Sequence, residues 1–361
     1  MHLLEYYHHK VPKNNYYIPR KCQFPSKGDI NFYGVRGSGK TTILLDLFLT
    51  QDEKDYLYID LEDPNLIFHP LTPLILQQYI DKEHITLLVL DHYDEGMFSY
   101  FPNVDRLIIV SRKPLSDNSL MPLELFPLDY EEFLAFENTL TQNKGFNHFL
   151  RAGTLPLIAH SQKNITHAMK TFLQSNFTST EQKLLLVLAK HHTQHITIHQ
   201  IYTFSKENFK VSKDWIYKTI KAFSEEKLIH FIEDHHKKSG KKMLLFDFAF
   251  AKYLTFGQPF IVQFDAMVAL TLIKHHIIVK TLGVHGYLTK NNELIIPAPF
   301  ESEESLWVKS QNKFSLYKQY HIKKVSIITI TNSYEYSIEK IIFEALPFNE
   351  WSVISGEMLI S

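Results

Sequence analysis

The residues with the most chemistry in them stand together at Gly34, Val35, Arg36, Gly37, Ser38, Gly39, Lys40, Thr41 and Thr42. The first eight spell G-x-x-x-x-G-K-T, a spacing at which glycines let the backbone curl so that its N–H groups converge on phosphate oxygens. Lys40 is then placed to reach the β and γ phosphates of a nucleoside triphosphate, and the Thr41 hydroxyl to complete the coordination of Mg2+. An apolar run, Ile30 to Tyr33, leads into the motif, and Ile43, Leu44, Leu47 and Phe48 follow it at helical spacing. Strand, glycine turn and helix N-terminus are therefore expected in sequence, with the helix dipole favouring the anion. The expected ligands are ATP and Mg2+.

Three more apolar runs, at 56–59, 85–90 and 107–110, have the spacing of buried parallel strands in a doubly wound α/β sheet. The middle one ends in Asp91, the position at which phosphate-loop hydrolases place a carboxylate that helps hold Mg2+. Many such enzymes follow it with a water-polarising glutamate, whereas this chain has His92. A neutral His92 can accept a proton, and Asp94 or Glu95 can approach if the loop curls back. Hydrolysis is favoured over binding alone, with Lys40, Asp91 and His92 as its catalytic set and Thr41 and Asp91 as the metal-holding pair. Ser111, at the tip of the last strand, is read either as a γ-phosphate sensor or as a strand cap, and Arg112 as a surface residue.

Four phrases in order, at 34–42, 56–64, 127–134 and 149–156, resemble the prokaryotic P-loop ATPases of the archaeal AAA type. The resemblance covers most of the chain. It implies an ATPase core, a small helical lid, a winged helix and a C-terminal domain of restriction-endonuclease-like fold. The chain departs from the family at His92, and in the short segment between Ser111 and Met121, which offers no counterpart of the family's arginine. The corresponding boundaries are 1–135 for the core, 136–177 for the lid, 178–256 for the winged helix and 257–361 for a degenerate nuclease-like domain.

The residues from Thr178 onward support that order by themselves. Thr178 and Glu181 suit a capping box, Ile198 to Phe204 a second helix, and Ser212 the start of a third with Trp215, Ile216, Ile220 and Phe223 inward. Two strands, 228–233 and 242–246, then flank a Lys- and His-rich connection. Between Ser205 and Lys242 there are ten lysines against six acidic residues, so contact with DNA phosphates is possible through 205–242, although no arginine is present there to read guanine. His191, His195 and His199 share a helical spacing, but a new element beginning near Ile198 argues against a zinc site.

In the C-terminal third, strands are expected at 284–288, 293–296, 306–308, 325–330 and 341–346. A nuclease of this fold needs an aspartate on one strand and Glu-x-Lys on the next. Pro297 and Trp307 occupy the carboxylate positions beside Lys309, so nuclease activity is not expected.

With 38 Lys+Arg against 39 Asp+Glu, no global field draws the chain to nucleic acid or an anionic membrane. A lone cysteine, Cys22, excludes an intrachain disulfide and suits the cytoplasm. The longest apolar stretch, 264–279, is broken by Asp265, Lys274, His275 and His276, so no membrane span is expected. The whole reads as an ATP-binding, ATP-hydrolysing switch that couples nucleotide state to interaction domains and an unidentified protein partner. The alternative is a DNA-binding regulator or defence factor in which ATP is bound but turned over slowly or not at all.

Overall fold

Strands buried on both faces read as continuous apolar runs, and such runs build the first sheet of this protein. A computed structural model describes residues 2–9, 18–136, 142–161 and 164–357. The chain divides into two compact units, Met1–Pro127 with Glu225–Lys227, and Leu128–Ser224 with Leu228–Ser361.

The first unit contains α1 (His2–His9), β1 (Ile30–Tyr33), α2 (Lys40–Phe48), β2 (Tyr56–Asp60), α3 (Pro73–Glu83), β3 (Leu87–Asp91), β4 (Arg106–Ser111) and β5 (Met121–Glu124). Its five strands are parallel and ordered β2-β3-β4-β1-β5. Alternation sorts the side chains between two cores. Leu57, Ile59, Leu88, Leu90, Leu107 and Ile109 pack with Leu76, Tyr79 and Ile80 of α3 and Leu4 of α1. Tyr56, Tyr58, Leu87, Val89, Ile108 and Val110 pack with Ile43, Leu44 and Phe48 of α2. Each fully buried Leu or Ile contributes about 2 kcal/mol of transfer free energy, and the two layers hold the strands in fixed register. The C-terminal ends of β1, β4, β3 and β2 therefore lie side by side on one edge, where open α/β sheets place their ligands. The sequence did not anticipate β5. Its Met-Pro-Leu-Glu run is half exposed and carries a proline, which a sheet tolerates at an edge.

The second unit begins with α4 (Tyr130–Phe136), α5 (Gln142–Ala152), α6 (Pro156–Ala159) and α7 (Ile165–Asn176). It continues through α8 (Ser179–Lys190), β6 (His195–Ile196), α9 (Ile198–Asn208), α10 (Lys213–Glu225), β7 (Ile229–Ile232), β8 (Lys241–Leu245) and α11 (Phe248–Tyr253). Capping boxes open two of these helices, Thr178 with Glu181 for α8 and Thr197 with Gln200 for α9. The three strands pair antiparallel in the order β6-β8-β7. The remainder comprises α12 (Phe260–Lys274), β9 (Val279–Thr281), β10 (Tyr287–Thr289), β11 (Glu293–Pro297), α13 (Glu303–Asn312), α14 (Phe314–Gln319), β12 (Lys324–Thr329), β13 (Tyr334–Ile338), β14 (Ile341–Pro347) and α15 (Phe348–Glu357).

Its six-stranded sheet, ordered β13-β14-β12-β11-β10-β9, is parallel at β11-β12-β14 and antiparallel at both flanks. This corrects the sequence reading at one important point. Leu306, Trp307, Val308 and Lys309 lie in helix α13, not in a strand. Ser302 caps that helix by accepting the Ser305 N–H, and Glu303 and Glu304 sit in its first turn, where the dipole favours them. The strand beside β11 is β12, in the register Leu294↔Val325. Strands β9 and β13 were not expected, and the strand expected at 284–288 begins only at Tyr287. No helix among the described residues is long and apolar enough to cross a membrane.

Candidate nucleotide-binding site

Strand β1 stops at Tyr33 and helix α2 starts at Lys40, so residues 34–39 must turn the backbone sharply between them. Gly37 (φ 77°) and Gly39 (φ 95°) take left-handed conformations open to glycine at no steric cost. Gly34 is needed for closeness: a Cβ there would stand 2.3 Å from the Leu125 carbonyl oxygen. Val35 is buried, Arg36 and Thr41 are half-buried, and Thr42 is exposed. Ser38 is fully buried, and its Oγ has no hydrogen-bond partner among the described residues. From the N-terminal segment, Arg20 donates to the Ser38 carbonyl (3.0 Å) and the Phe126 carbonyl (2.8 Å), bracing the loop.

Lys40, the first residue of α2, donates to the carbonyls of Gly34 (2.7 Å) and Val35 (3.3 Å). Desolvation lowers its pKa to about 8 against the opposing pull of Asp91, so its charge is costly there and an anion would relieve it. The next side chain, Thr41, donates its hydroxyl to Asp91 Oδ2 at 2.8 Å. Asp91 is almost wholly buried, and also accepts from the Tyr58 hydroxyl (3.0 Å) and the His92 N–H (2.9 Å).

The predicted residues 34–42, Asp91 and His92 are thus brought to one edge of the first unit, where β3 carries Asp91 to the foot of α2. Asp94 and Glu95 are exposed, and Glu95 accepts from the Ser116 N–H (3.2 Å). Residues that the sequence reading did not single out complete the arrangement. Asp60 ends β2 in register with Asp91, and its Oδ1 receives His92 Nδ1 at 2.7 Å. That bond raises the His92 pKa, burial opposing it, and keeps Asp60 low in spite of Asp60's own desolvation. Tyr58, two residues before Asp60, is the second hydroxyl on Asp91, and its own pKa is raised by burial and by that carboxylate. A clue was present in the repeated ending of β2 and β3 in aspartate, but only strand register turns two aspartates into neighbours.

The donor set fits a triphosphate with Mg2+. It offers backbone N–H groups at a helix N-terminus, a desolvated ammonium, a buried unpartnered hydroxyl, and one hydroxyl and one carboxylate as hard oxygen ligands. Magnesium is ordinarily held by one or two carboxylates plus phosphates. No group of three or more His, Cys, Asp or Glu that could hold a metal ion is found among the described residues.

Comparison with known proteins bears on this edge of the sheet. A family model described as an AAA domain matches residues 29–95, from the start of β1 to the turn after β3. The uncharacterized protein MJ1544 of Methanocaldococcus jannaschii is 24% identical over 250 residues, covering 57% of this chain and 57% of that protein. The chain therefore spans little more than half the length of this relative. Among solved structures, the Aeropyrum pernix ORC1 protein in complex with DNA is similar at 11% identity over 64% of this chain and 87% of that one, with a TM-score of 0.32. The family match and the loop geometry support an ATP-binding, AAA-type P-loop domain on a parallel α/β sheet in the first unit.

Proposed function

We propose that this protein is an ATP-hydrolysing molecular switch of the AAA class, in which nucleotide bound at Gly34–Thr42 sets the state of interaction modules in the second unit. The observation that carries the reading is the hydrogen bond between Thr41 Oγ1 and Asp91 Oδ2 at the foot of α2. It pairs two hard oxygens beside a loop shaped for phosphates. Thr41 and Asp91 would hold Mg2+, which would supply neutralisation of phosphate charge. The loop N–H groups and Lys40 orient the triphosphate, Lys40 exchanging the carbonyls of Gly34 and Val35 for phosphate oxygens. His92, with Nδ1 engaged by Asp60, keeps Nε2 as the acceptor for a proton from the attacking water.

The modules are proposed on their order and shape. Helices α4–α7 serve as the lid; α8–α10 with sheet β6-β8-β7 serve as the winged helix. The C-terminal sheet with α12–α15 serves as a nuclease-like fold that binds a protein partner. Equilibrium titration of the full chain with a fluorescent ATP analogue, with and without Mg2+, together with a phosphate-release assay, tests the reading. Mg2+-dependent binding with turnover is expected, and absence of binding removes the reading altogether.

A second reading, a DNA-binding regulator or defence factor that holds ATP without turning it over quickly, draws on the charge of α10. Lys213, Lys218 and Lys221 are exposed there, opposite buried Ile216, Ile220 and Phe223, and Lys237, Lys238 and Lys241 are exposed in and beside the β7–β8 connection. Affinity of the full chain for a DNA duplex that falls steeply with added salt would favour it. Its absence at low salt would exclude it.

A further inference from the structure

The second unit holds polar groups in reserve at a place of its own. Helix α8, the end of α9 and the connection from α11 to α12 enclose a cavity of about 770 Å3. Cavities of roughly 300–1,000 Å3 are the size that takes up small ligands. Lys183, Leu186, Val187 and Lys190 line it as one stripe of α8, at the i, i+3, i+4, i+7 spacing that shares a helix face. Leu254, Val262 and the fully exposed ring of Phe256 supply further apolar wall.

His192 belongs to the same lining and is 2% exposed. Its Nδ1 accepts the Leu245 N–H at 3.0 Å, and burial foremost, with Lys242 second, keeps the ring neutral at pH 7. In a neutral imidazole whose one nitrogen accepts, the other carries the proton, so Nε2 is a donor. That donor has no hydrogen-bond partner among the described residues. A buried donor left so costs free energy, which an acceptor oxygen in the cavity would recover. Gln258, in the α11–α12 connection, also lines the cavity, and its buried Oε1 is likewise unpartnered among the described residues. The charge of the lining is one-sided. Lys183 and Lys190 are exposed and make no ion pair among the described residues, and no acidic residue lines the cavity. Pro259, also in the lining, N-caps α12 without a side-chain hydrogen bond, so the positive end of that helix dipole is not neutralised by its own cap.

Such a lining calls for an apolar body, an acceptor oxygen for His192, a donor for Gln258 and a negative charge for the lysines. An N-acylated apolar amino acid carries all four within a few bonds. We propose that this cavity binds an N-acylated apolar amino acid, its acyl carbonyl accepting from His192 Nε2, its amide N–H donating to Gln258 Oε1 and its carboxylate taken up by Lys183, Lys190 and the start of α12. The last residue of a peptide with a free carboxylate presents the same chemistry. Nothing in the site draws on the phosphate loop or its nucleotide.

The test titrates the full-length chain with N-acetyl-L-leucine, followed by calorimetry and by the imidazole N–H spectrum of protein labelled with nitrogen-15 histidine. A dissociation constant of about 2 mM or tighter is expected for a ligand of this size. The His192 Nε2–H resonance should move downfield as it gains an acceptor. N-acetyl-L-leucinamide, which lacks the charge, should bind about tenfold more weakly, and so should the acid when Lys183→Glu and Lys190→Glu are combined. Leu186→Trp, at an exposed position, should fill the groove and abolish binding with the melting temperature unchanged. A heptapeptide ending in leucine with a free carboxylate separates the two sources. Affinity equal to or above that of the free acid assigns the site to a chain end, and exclusion of the peptide assigns it to the free acid. Absence of binding to the wild-type chain at about 10 mM N-acetyl-L-leucine overturns the proposal. Binding that Leu186→Trp leaves intact, or that does not move the His192 resonance, overturns it equally.

Discussion

Each unit of this protein buries a carboxylate at the start of a helix, and the two are built for opposite ends. Asp247, at the N-cap of α11, accepts from the Thr154 N–H and hydroxyl (2.5 Å each) and from the Phe250 N–H (2.6 Å). Gly153 (φ 75°) is pressed so close that a Cβ would lie 2.4 Å from the Asp247 carboxylate oxygens. Every group there is engaged with another part of the same unit. Around Asp91, by contrast, a buried Ser38 hydroxyl has no partner among the described residues, Lys40 makes do with two carbonyls, and desolvation lowers its pKa to about 8. A polar cluster that satisfies itself contributes stability. One that leaves donors and positive charge in reserve has capacity for a ligand.

That contrast can be broken most directly at Asp247. Asp247→Ala is expected to cost about 4 kcal/mol of stability, because the Thr154 and Phe250 donors are left buried without an acceptor. A chemical-denaturation midpoint unchanged by the substitution would refute the structural role. Lys40→Ala should do the reverse: affinity for an ATP analogue should drop about 100-fold, near 2.7 kcal/mol, while the melting temperature holds. Loss of stability without loss of affinity would mean that the lysine belongs to the fold.

Acid sharpens the comparison through His192, a buried polar group of the second unit. Its Nδ1 accepts the Leu245 N–H at 3.0 Å, and burial foremost, with Lys242 second, holds its pKa down to about 3. The unfolded chain protonates this histidine near pH 6.5, and the folded chain only near 3, so between those values the unfolded state binds the extra proton. Stability is accordingly complete above pH 6.5 and should decline by about 1.4 kcal/mol per pH unit as pH falls below it. Urea midpoints from pH 7.5 to 5 should show this slope, and it should flatten in His192→Gln. The smallest effect is expected at Tyr58. Tyr58→Phe removes one of two hydroxyls on Asp91 and should weaken Mg2+-dependent nucleotide binding about fivefold, near 1 kcal/mol, with little change without Mg2+. Equal weakening in both conditions would place the tyrosine outside the metal-holding group.

How far the sequence could be read depended on how local each feature was. The loop at 34–42 was legible because its chemistry is set by consecutive residues whose spacing has few other uses. Asp91 was legible as the last residue of an apolar run. The segment 306–309 was misread because Leu-Trp-Val suits a buried strand as well as one turn of helix, and the deciding features, the Ser302 cap and the pairing of β12 with β11, lie outside the run. Strand β5 escaped notice because an edge strand need not be apolar on either face.

The sequence by itself determined that a glycine loop, a lysine and a threonine would meet at a helix N-terminus, since covalent adjacency leaves them little alternative. It did not determine that Asp60 and Tyr58 stand beside Asp91, that the Ser111 hydroxyl is taken by Asn31, or that Arg112 pairs with Glu62 across the strand ends. Those neighbours come from the order and register of parallel strands separated by whole helices. Register there is chosen by how two apolar layers pack on opposite faces of the sheet, and one residue of slip would exchange every side chain between them.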